Sequence, residues 1–172
     1  LKFISIIKTI MKIYAIIPAR SGSVGVKNKN IRPIDGKPLM SYSIAFAKAL
    51  GVDRVFCSTD SEEYAAIAKQ FGAEVPFLRS DFAASSTAME QDILVDLYQK
   101  FEDHSIPQPD ILVWLRPTFV FRSIADVQKC IDQLKNDPSL TASRTVCESE
   151  GRLYKVESDI LVPSFDDNGK SM

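Results

Sequence analysis

The chain has 172 residues, 45% of them hydrophobic, which is enough for one sizeable core and fits a single domain better than two. Twenty-one basic against 22 acidic residues leave a formal net charge of -1, so no overall basic field points to nucleic acid or an anionic membrane, and any anion binding has to be local. Cys57, Cys130 and Cys147 are odd in number, far apart and without CxxC spacing, which argues against a disulfide framework or a zinc site and makes a reducing cytoplasm the simplest setting.

Residues 1–18 are rich in Ile, but Lys2, Lys8 and Lys12 interrupt them and Pro18 follows, so no apolar run is long enough for a signal core or a membrane span. Met11 reads as the natural start and residues 1–10 as an upstream segment. Lys12–Pro18 (KIYAIIP) is a nearly continuous apolar run closed by a Gly/Ser-rich loop, the pattern of a buried parallel strand. Pro38–Leu50 carries apolar or small residues at helical spacing and stops at Gly51. Arg54–Thr59 (RVFCST) is expected as a second strand, Ser61–Phe71 as a helix ended by Gly72, and Met89–Lys100 as another helix. Ile111–Leu115 is expected as a strand, Ser123–Asn136 as a helix and Leu140–Val146 as a further strand.

Strands alternating with helices at this spacing predict βαβ units and a mostly parallel sheet covered on both faces. Ligands of such sheets bind at the carboxyl ends of the strands, here the loops 19–30, 59–62 and 116–123. The tail Phe165–Met172 (FDDNGKSM) ends on turn-like residues without closing another βα unit, as though the domain were truncated.

The loop after the first strand, Pro18–Asn30, gathers two glycines, two serines and three cations, a composition for handling phosphate. Gly22 and Gly25 permit backbone conformations that turn N–H groups toward one anion, while Arg20, Lys27 and Lys29 supply neutralising charge. A dinucleotide fingerprint fits poorly because Arg20 stands in the first glycine slot. A Walker loop fits poorly because the Gly36-Lys37 pair is followed by Pro38. On composition alone an ordinary polar turn between strand and helix remains open.

The string Ala19-Arg20-Ser21-Gly22-Ser23-Val24-Gly25-Val26-Lys27-Asn28-Lys29-Asn30-Ile31 resembles the signature loop of acylneuraminate cytidylyltransferases (the CMP-sialic acid synthetase family), A-R-x-G-S-K-G-(I/L)-x-x-K-N-I. It departs at Val24, where the pattern has lysine. Ser58–Glu63 (STDSEE), Gly72–Arg79 (GAEVPFLR) followed by Ala84–Ala88 (ASSTA), and Trp114–Arg122 (WLRPTFVFR) are similar to further segments of that family. In the last of these, Pro117, Thr118 and Arg122 match while Arg116, Phe119 and Val120 depart. Asp60 with Glu63, and Thr87 with Glu90, also have capping-box spacing, so helix caps are expected at Asp60 and stand as the alternative at Thr87.

The resemblance implies a three-layer αβα, nucleotide-diphospho-sugar transferase-like (Rossmann-like) fold over residues 11–172. It implies transfer of CMP from CTP to an acidic nine-carbon 2-keto sugar with release of pyrophosphate. Arg20 and Lys29 would act on the triphosphate, Gly22, Ser23, Gly25 and Asn30 would hold the rest of it, and Arg79 and Ser86 would contact the cytidine moiety. Arg116, where the pattern has Gln, would face the acceptor sugar, compensate for Val24, or turn to a surface carboxylate. Magnesium is expected with the triphosphate, its ligands outside this chain, since Asp166 and Asp167 stand in a turn-like stretch. A cytoplasmic homodimer is implied for the full-length protein. A non-catalytic nucleotide-binding module and a cytidylyltransferase for another sugar acid remain alternatives. His104, in a polar loop before Pro107, is expected to be exposed.

Overall fold

The computed structural model describes residues 11–23, 25–147, 154–158 and 160–163. The order is β1 (Ile13–Pro18), a 3-10 turn (Lys29–Ile31), a small hairpin β2 (Pro33–Ile34) and β3 (Lys37–Pro38), α1 (Leu39–Leu50), β4 (Arg54–Ser58), α2 (Glu62–Gln70), α3 (Asp81–Ala84), α4 (Glu90–Asp103), β5 (Ile111–Trp114), α5 (Ile124–Asn136), and a second hairpin, β6 (Tyr154–Glu157) with β7 (Ile160–Pro163).

β1 lies between β4 and β5 and runs parallel to both, with Ala15 opposite Val55 on one side and Val113 on the other. Strand alternation then separates two cores. Ala15, Ile17, Val55, Cys57, Ile111 and Val113 face Met40 and Ile44 of α1, Tyr64 and Ala68 of α2, and Ile131 of α5. Tyr14, Ile16 and Phe56 face the other way onto Leu97 and Phe101 of α4. The result is three layers, with a parallel sheet in the middle, as expected from the alternating pattern. Tyr14, Phe56 and Phe101 have ring centroids 4.9 to 6.1 Å apart in tilted or edge-on pairs. Buried side chains of this size contribute roughly 1.5–3 kcal/mol each.

The helix ends follow local chemistry. Gly51 closes α1 at φ +75°, a left-handed conformation that glycine adopts without strain. Ser61 caps α2 by accepting from the Tyr64 N–H at 3.4 Å, and Ser123 caps α5 by accepting from the Asp126 N–H at 3.3 Å. The cap expected at Asp60 is therefore one residue later, because Asp60 is engaged elsewhere. The alternative cap at Thr87 is also displaced: α4 is capped at Met89, whose N–H donates to Asp92 at 2.7 Å, and Thr87 instead lies 3.3 Å from the Ser85 hydroxyl.

One predicted element is absent. Residues 141–147 form no strand, and Leu140 and Val146 are 42% and 81% exposed. A strand needs a ladder, and among the described residues β5 pairs with β1 alone, so this stretch lies near the free edge of β5 without joining it. His104, as expected, is exposed. Its ring packs on Phe77 with centroids 5.0 Å apart.

Candidate active site

The chain leaves β1 toward β4 on one side and later crosses to β5 on the other, so the carboxyl ends of β1 and β5 flank the point where strand order reverses. A cavity of about 350 Å3 opens there. Arg20, Ser23, Lys29 and Asn30 from the loop after β1, Arg79 and Ser86 from the α3 region, and Arg116 after β5 all line it. Gly22 and Gly25 belong to the same loop but lie off the cavity wall. Gly22 sits at φ +66°, a left-handed turn that reverses the chain after Ser21, whereas Gly25 needs no such conformation. Val24, where the loop departs from the signature, lies outside the described residues, as do Asp166 and Asp167.

The loop is tied down at three points. Asn30, 6% exposed, donates its side-chain amide to the Arg20 carbonyl at 3.0 Å, which closes the loop across its base. Arg20 donates through Nη1 to the carbonyls of Ala84 and Ser85 at 3.3 and 3.2 Å, joining the loop to the Ser/Thr stretch after α3. Asp60 accepts from both the backbone N–H and the hydroxyl of Ser21, each at 2.7 Å. Burial pushes the Asp60 carboxyl up, but the Ser21 hydrogen bonds and the charge of Arg79 outweigh it and hold the group below its usual range. The capping-box spacing concealed this role: Asp60 braces the loop, and Ser61 does the capping.

Arg79 is 6% exposed and its donors are directed inward. Nε donates to the Ser58 hydroxyl at 3.1 Å, Nη2 to the Ser58 carbonyl at 2.8 Å and Nη1 to the Ala83 carbonyl at 3.5 Å. Burial pulls its pKa down, and the charge of Asp60 opposes that shift. Arg79 thus forms part of the cavity wall while pinning the end of β4 to α3. Ser86 is exposed on the same wall.

Arg116 points to a carboxylate that the motifs did not single out. Its Nε donates to Glu90 Oε1 at 2.8 Å and its Nη2 lies 2.6 Å from the same oxygen, which also accepts from Trp114 Nε1 at 2.7 Å. Glu90 and Trp114 line the cavity with Arg116. Arg122 holds the following turn from behind: it donates to the Arg116 carbonyl and to the Ser43 hydroxyl, and stacks over Phe119 and Phe46. Glu90 had appeared in the sequence only as the far end of a capping-box spacing. The signal that would have found it is its place at the first residue of α4, facing the end of β5.

Among the described residues the cavity wall carries four cations, Arg20, Lys29, Arg79 and Arg116, against one carboxylate, Glu90. Such an excess suits a polyanion. No group of three or more His, Cys, Asp or Glu residues is placed to hold a metal among the described residues. Glu90 Oε1 is taken by Trp114 and Arg116, and the described residues of the wall bring no second carboxylate to it, so they do not by themselves form a metal site. No helix among the described residues is long and apolar enough to cross a membrane.

Comparisons with known proteins bear on the family and the fold. A family model described as "Cytidylyltransferase" matches residues 14–170. The post-translational flagellin modification protein B of Campylobacter coli is 40% identical over 161 residues, covering 91% of this chain and 68% of that protein. The CMP-N,N'-diacetyllegionaminic acid synthase of Legionella pneumophila is 36% identical over 123 residues, covering 71% of this chain and 53% of the synthase. Among solved structures, a CMP:2-keto-3-deoxy-manno-octonic acid synthetase complexed with CTP superposes with a TM-score of 0.63 at 25% identity, covering 75% of this chain and 49% of that one. The matched chain therefore spans about half the length of the synthase and of the synthetase.

Proposed function

We propose, from the premise that this chain belongs to the cytidylyltransferase family, that it transfers CMP from CTP to an acidic nine-carbon 2-keto sugar and releases pyrophosphate. The observation that carries the reading is the cationic cavity at the carboxyl ends of β1 and β5, walled by the signature loop on one side and by Arg116 on the other. In this reaction the anomeric hydroxyl oxygen of the sugar forms a bond to the α-phosphorus, the bond from that phosphorus to the pyrophosphate oxygen breaks, and the hydroxyl proton leaves to solvent. Positioning and charge stabilisation are the protein's contribution.

Lys29 and Arg20 are the residues for the triphosphate. Lys29 is held by its backbone, its N–H donating to the Val26 carbonyl at 3.2 Å, while its ammonium, on the cavity wall, has no hydrogen-bond partner among the described residues and is available for a phosphate. Arg20 has Nη1 on the Ala84 and Ser85 carbonyls and presents the rest of its guanidinium to the cavity. Both would offset charge that grows on the α-phosphoryl oxygens and the leaving group. Ser23 and the backbone N–H groups near Gly22 and Gly25 would hold the remaining phosphate oxygens, with Asn30 keeping the loop closed. Ser86 would meet the cytidine, and Arg79 would shape that wall. Arg116 would take the acceptor carboxylate, which a planar guanidinium can bind in two-pronged fashion where a neutral Gln cannot.

Magnesium belongs to this reading as the usual counter-ion of a nucleoside triphosphate. The described residues supply no ligand set for it, and no step above depends on it. A cytoplasmic homodimer is part of the same proposal, and the likeness to the Legionella CMP-N,N'-diacetyllegionaminic acid synthase favours a nonulosonic acid as acceptor. The alternative is a nucleotide-binding module without turnover. Pyrophosphate release from CTP, measured against N-acetylneuraminic, legionaminic, pseudaminic and octulosonic acids, separates the two. Release with a nine-carbon acid is the expected result, and CTP binding without release from any acid would leave the module reading in its place.

A further inference from the structure

Glu90 is the only carboxylate among the described residues of the cavity wall, and the way it is held is unusual for a surface ion pair. One oxygen, Oε1, receives all three donors: Trp114 Nε1, Arg116 Nε and Arg116 Nη2, at 2.7, 2.8 and 2.6 Å. The other, Oε2, has no partner among the described residues. The side chains of Arg116 and Glu90 are 62% and 49% exposed, so the pair itself contributes only about 0–1 kcal/mol to stability. Fold stability is thus a poor reason for concentrating three donors on one oxygen.

Position gives a better one. Glu90, Trp114 and Arg116 also line a second cavity, of about 810 Å3, that runs along the free edge of β5. The three side chains therefore stand on the boundary between the nucleotide cavity and the space beyond it. The Arg116 backbone is fixed there, since its carbonyl accepts from Arg122 and Ser43 and the preceding Leu115 N–H donates to Ile16 at 2.9 Å. Only the Arg116 side chain is free to change partners.

We propose that Glu90 is a specificity-determining residue for the acceptor: Trp114 anchors it, and when an acceptor carboxylate displaces it from Arg116 its charge accepts a hydroxyl or amide N–H of the same acceptor. This rests on the acceptor reading given above. Exchange of one carboxylate for another on Arg116 is close to neutral in free energy. Discrimination therefore comes from the second contact, a hydrogen bond to an ionised acceptor. The ligand class is an acid that carries a hydrogen-bond donor within a few bonds of its carboxylate. An acid without that donor leaves Glu90 on Trp114 and water alone, forgoes the second contact and is held less tightly.

Glu90→Gln and Trp114→Phe in the full chain test this, with Michaelis constants for CTP and for each acid. Trp114, the one tryptophan of the chain, gives an intrinsic emission signal at the site. Glu90→Gln is expected to raise the acceptor constant about tenfold, the lower end for loss of a hydrogen bond to a charged group at an exposed site, and to leave the CTP constant within about twofold. Trp114→Phe is expected to shift the acceptor constant in the same direction by less, and the double variant to be no worse than Glu90→Gln alone. Trp114 emission is expected to change when an acid is added to the CTP-loaded wild type and to change less in Glu90→Gln. An acceptor constant that stays the same or falls in Glu90→Gln, or a CTP constant that rises in parallel, overturns the inference while wild-type turnover leaves the proposed function standing. A wild type with neither turnover nor an emission response to any acid overturns both.

Discussion

Replacing Asp60 by Ala removes the two hydrogen bonds, each 2.7 Å, that hold Ser21 at the start of the signature loop. Bonds to a charged acceptor contribute about 1.5–3 kcal/mol each where they are desolvated, and Asp60 is only part-buried, so solvent screening reduces the pair to about 2 kcal/mol in all. With a urea slope of about 2 kcal/mol/M, that is a fall of about 1 M in the midpoint. The pH dependence follows from the lowered Asp60 pKa. A carboxyl whose folded pKa lies below its unfolded value of about 3.9 stabilises the fold fully above that value and loses its contribution as pH falls through the folded pKa. Wild-type and Asp60→Ala midpoints should therefore differ at pH 7 and draw closer as pH falls from about 4 through the lowered folded pKa. Two opposing effects act on CTP. Loss of a negative charge near the phosphates favours binding, whereas loss of the brace lets the loop N–H groups and Arg20 drift. Because the loop's value lies in its geometry, the second should dominate and weaken CTP binding by about tenfold. Isothermal titration at pH 7 reads this directly. Unchanged or tighter CTP binding in Asp60→Ala would refute the bracing role and leave Asp60 as a simple repulsive charge.

CTP should raise the melting temperature well above the shifts produced by ATP or GTP, and equal shifts in a four-nucleotide series would remove the cytidine assignment while sparing the phosphate loop. Gly22→Ala should cost about 1–2 kcal/mol because a side chain is strained at φ +66°, although nothing lies within 4 Å of the new Cβ. Gly25→Ala should be close to neutral in denaturation, and an equal cost for both would contradict the loop geometry. Lys29→Ala and Arg20→Ala should both abolish pyrophosphate release. Only Arg20→Ala should also lower stability, by about 1 kcal/mol, since Arg20 alone of the two is bonded to the Ala84 and Ser85 carbonyls. Circular dichroism run beside the assay checks this, and turnover surviving in Lys29→Ala would dismiss its role at the triphosphate.

The layered α/β architecture was legible because hydrophobic pattern reports burial directly. KIYAIIP is apolar on both faces since Tyr14 and Ile16 pack on α4 while Ala15 and Ile17 pack on α1 and α2. The predicted strand at Leu140–Val146 failed for the complementary reason. Strand status depends on a partner, and no local pattern reports whether the neighbouring edge is available. The cap expected at Asp60 shows a related limit. Spacing identifies a residue able to cap, but a distant hydroxyl such as Ser21 can compete for the same carboxylate, and the adjacent Ser61 then serves as well. Glu90 was invisible as a site residue because its partners, Trp114 and Arg116, stand 24 and 26 positions away. Motif strings hold no information about a contact across that separation.

Arg79 shows how contacts can give a residue singled out in the sequence a different physical role. The family resemblance puts it at the cytidine, and it does line the cavity, yet its hydrogen bonds run to Ser58 and Ala83. A buried guanidinium is costly unless its donors are met, and here two of its acceptors belong to Ser58, the last residue of β4. The next carboxylate along the chain is Asp60, which holds Ser21. Arg79 and Asp60 stabilise each other's charged forms, so the positive charge in the wall favours an ionised Asp60. A chain of contacts thus runs from Ala83 through Arg79 to Ser58, and from Asp60 through Ser21 to the loop that Asn30 closes. On this geometry Arg79 would act on a bound nucleotide by fixing the wall and the charge state of the brace behind it. Arg79→Lys, which keeps the charge but cannot span Ser58 and Ala83 together, should therefore lose stability and CTP affinity in parallel.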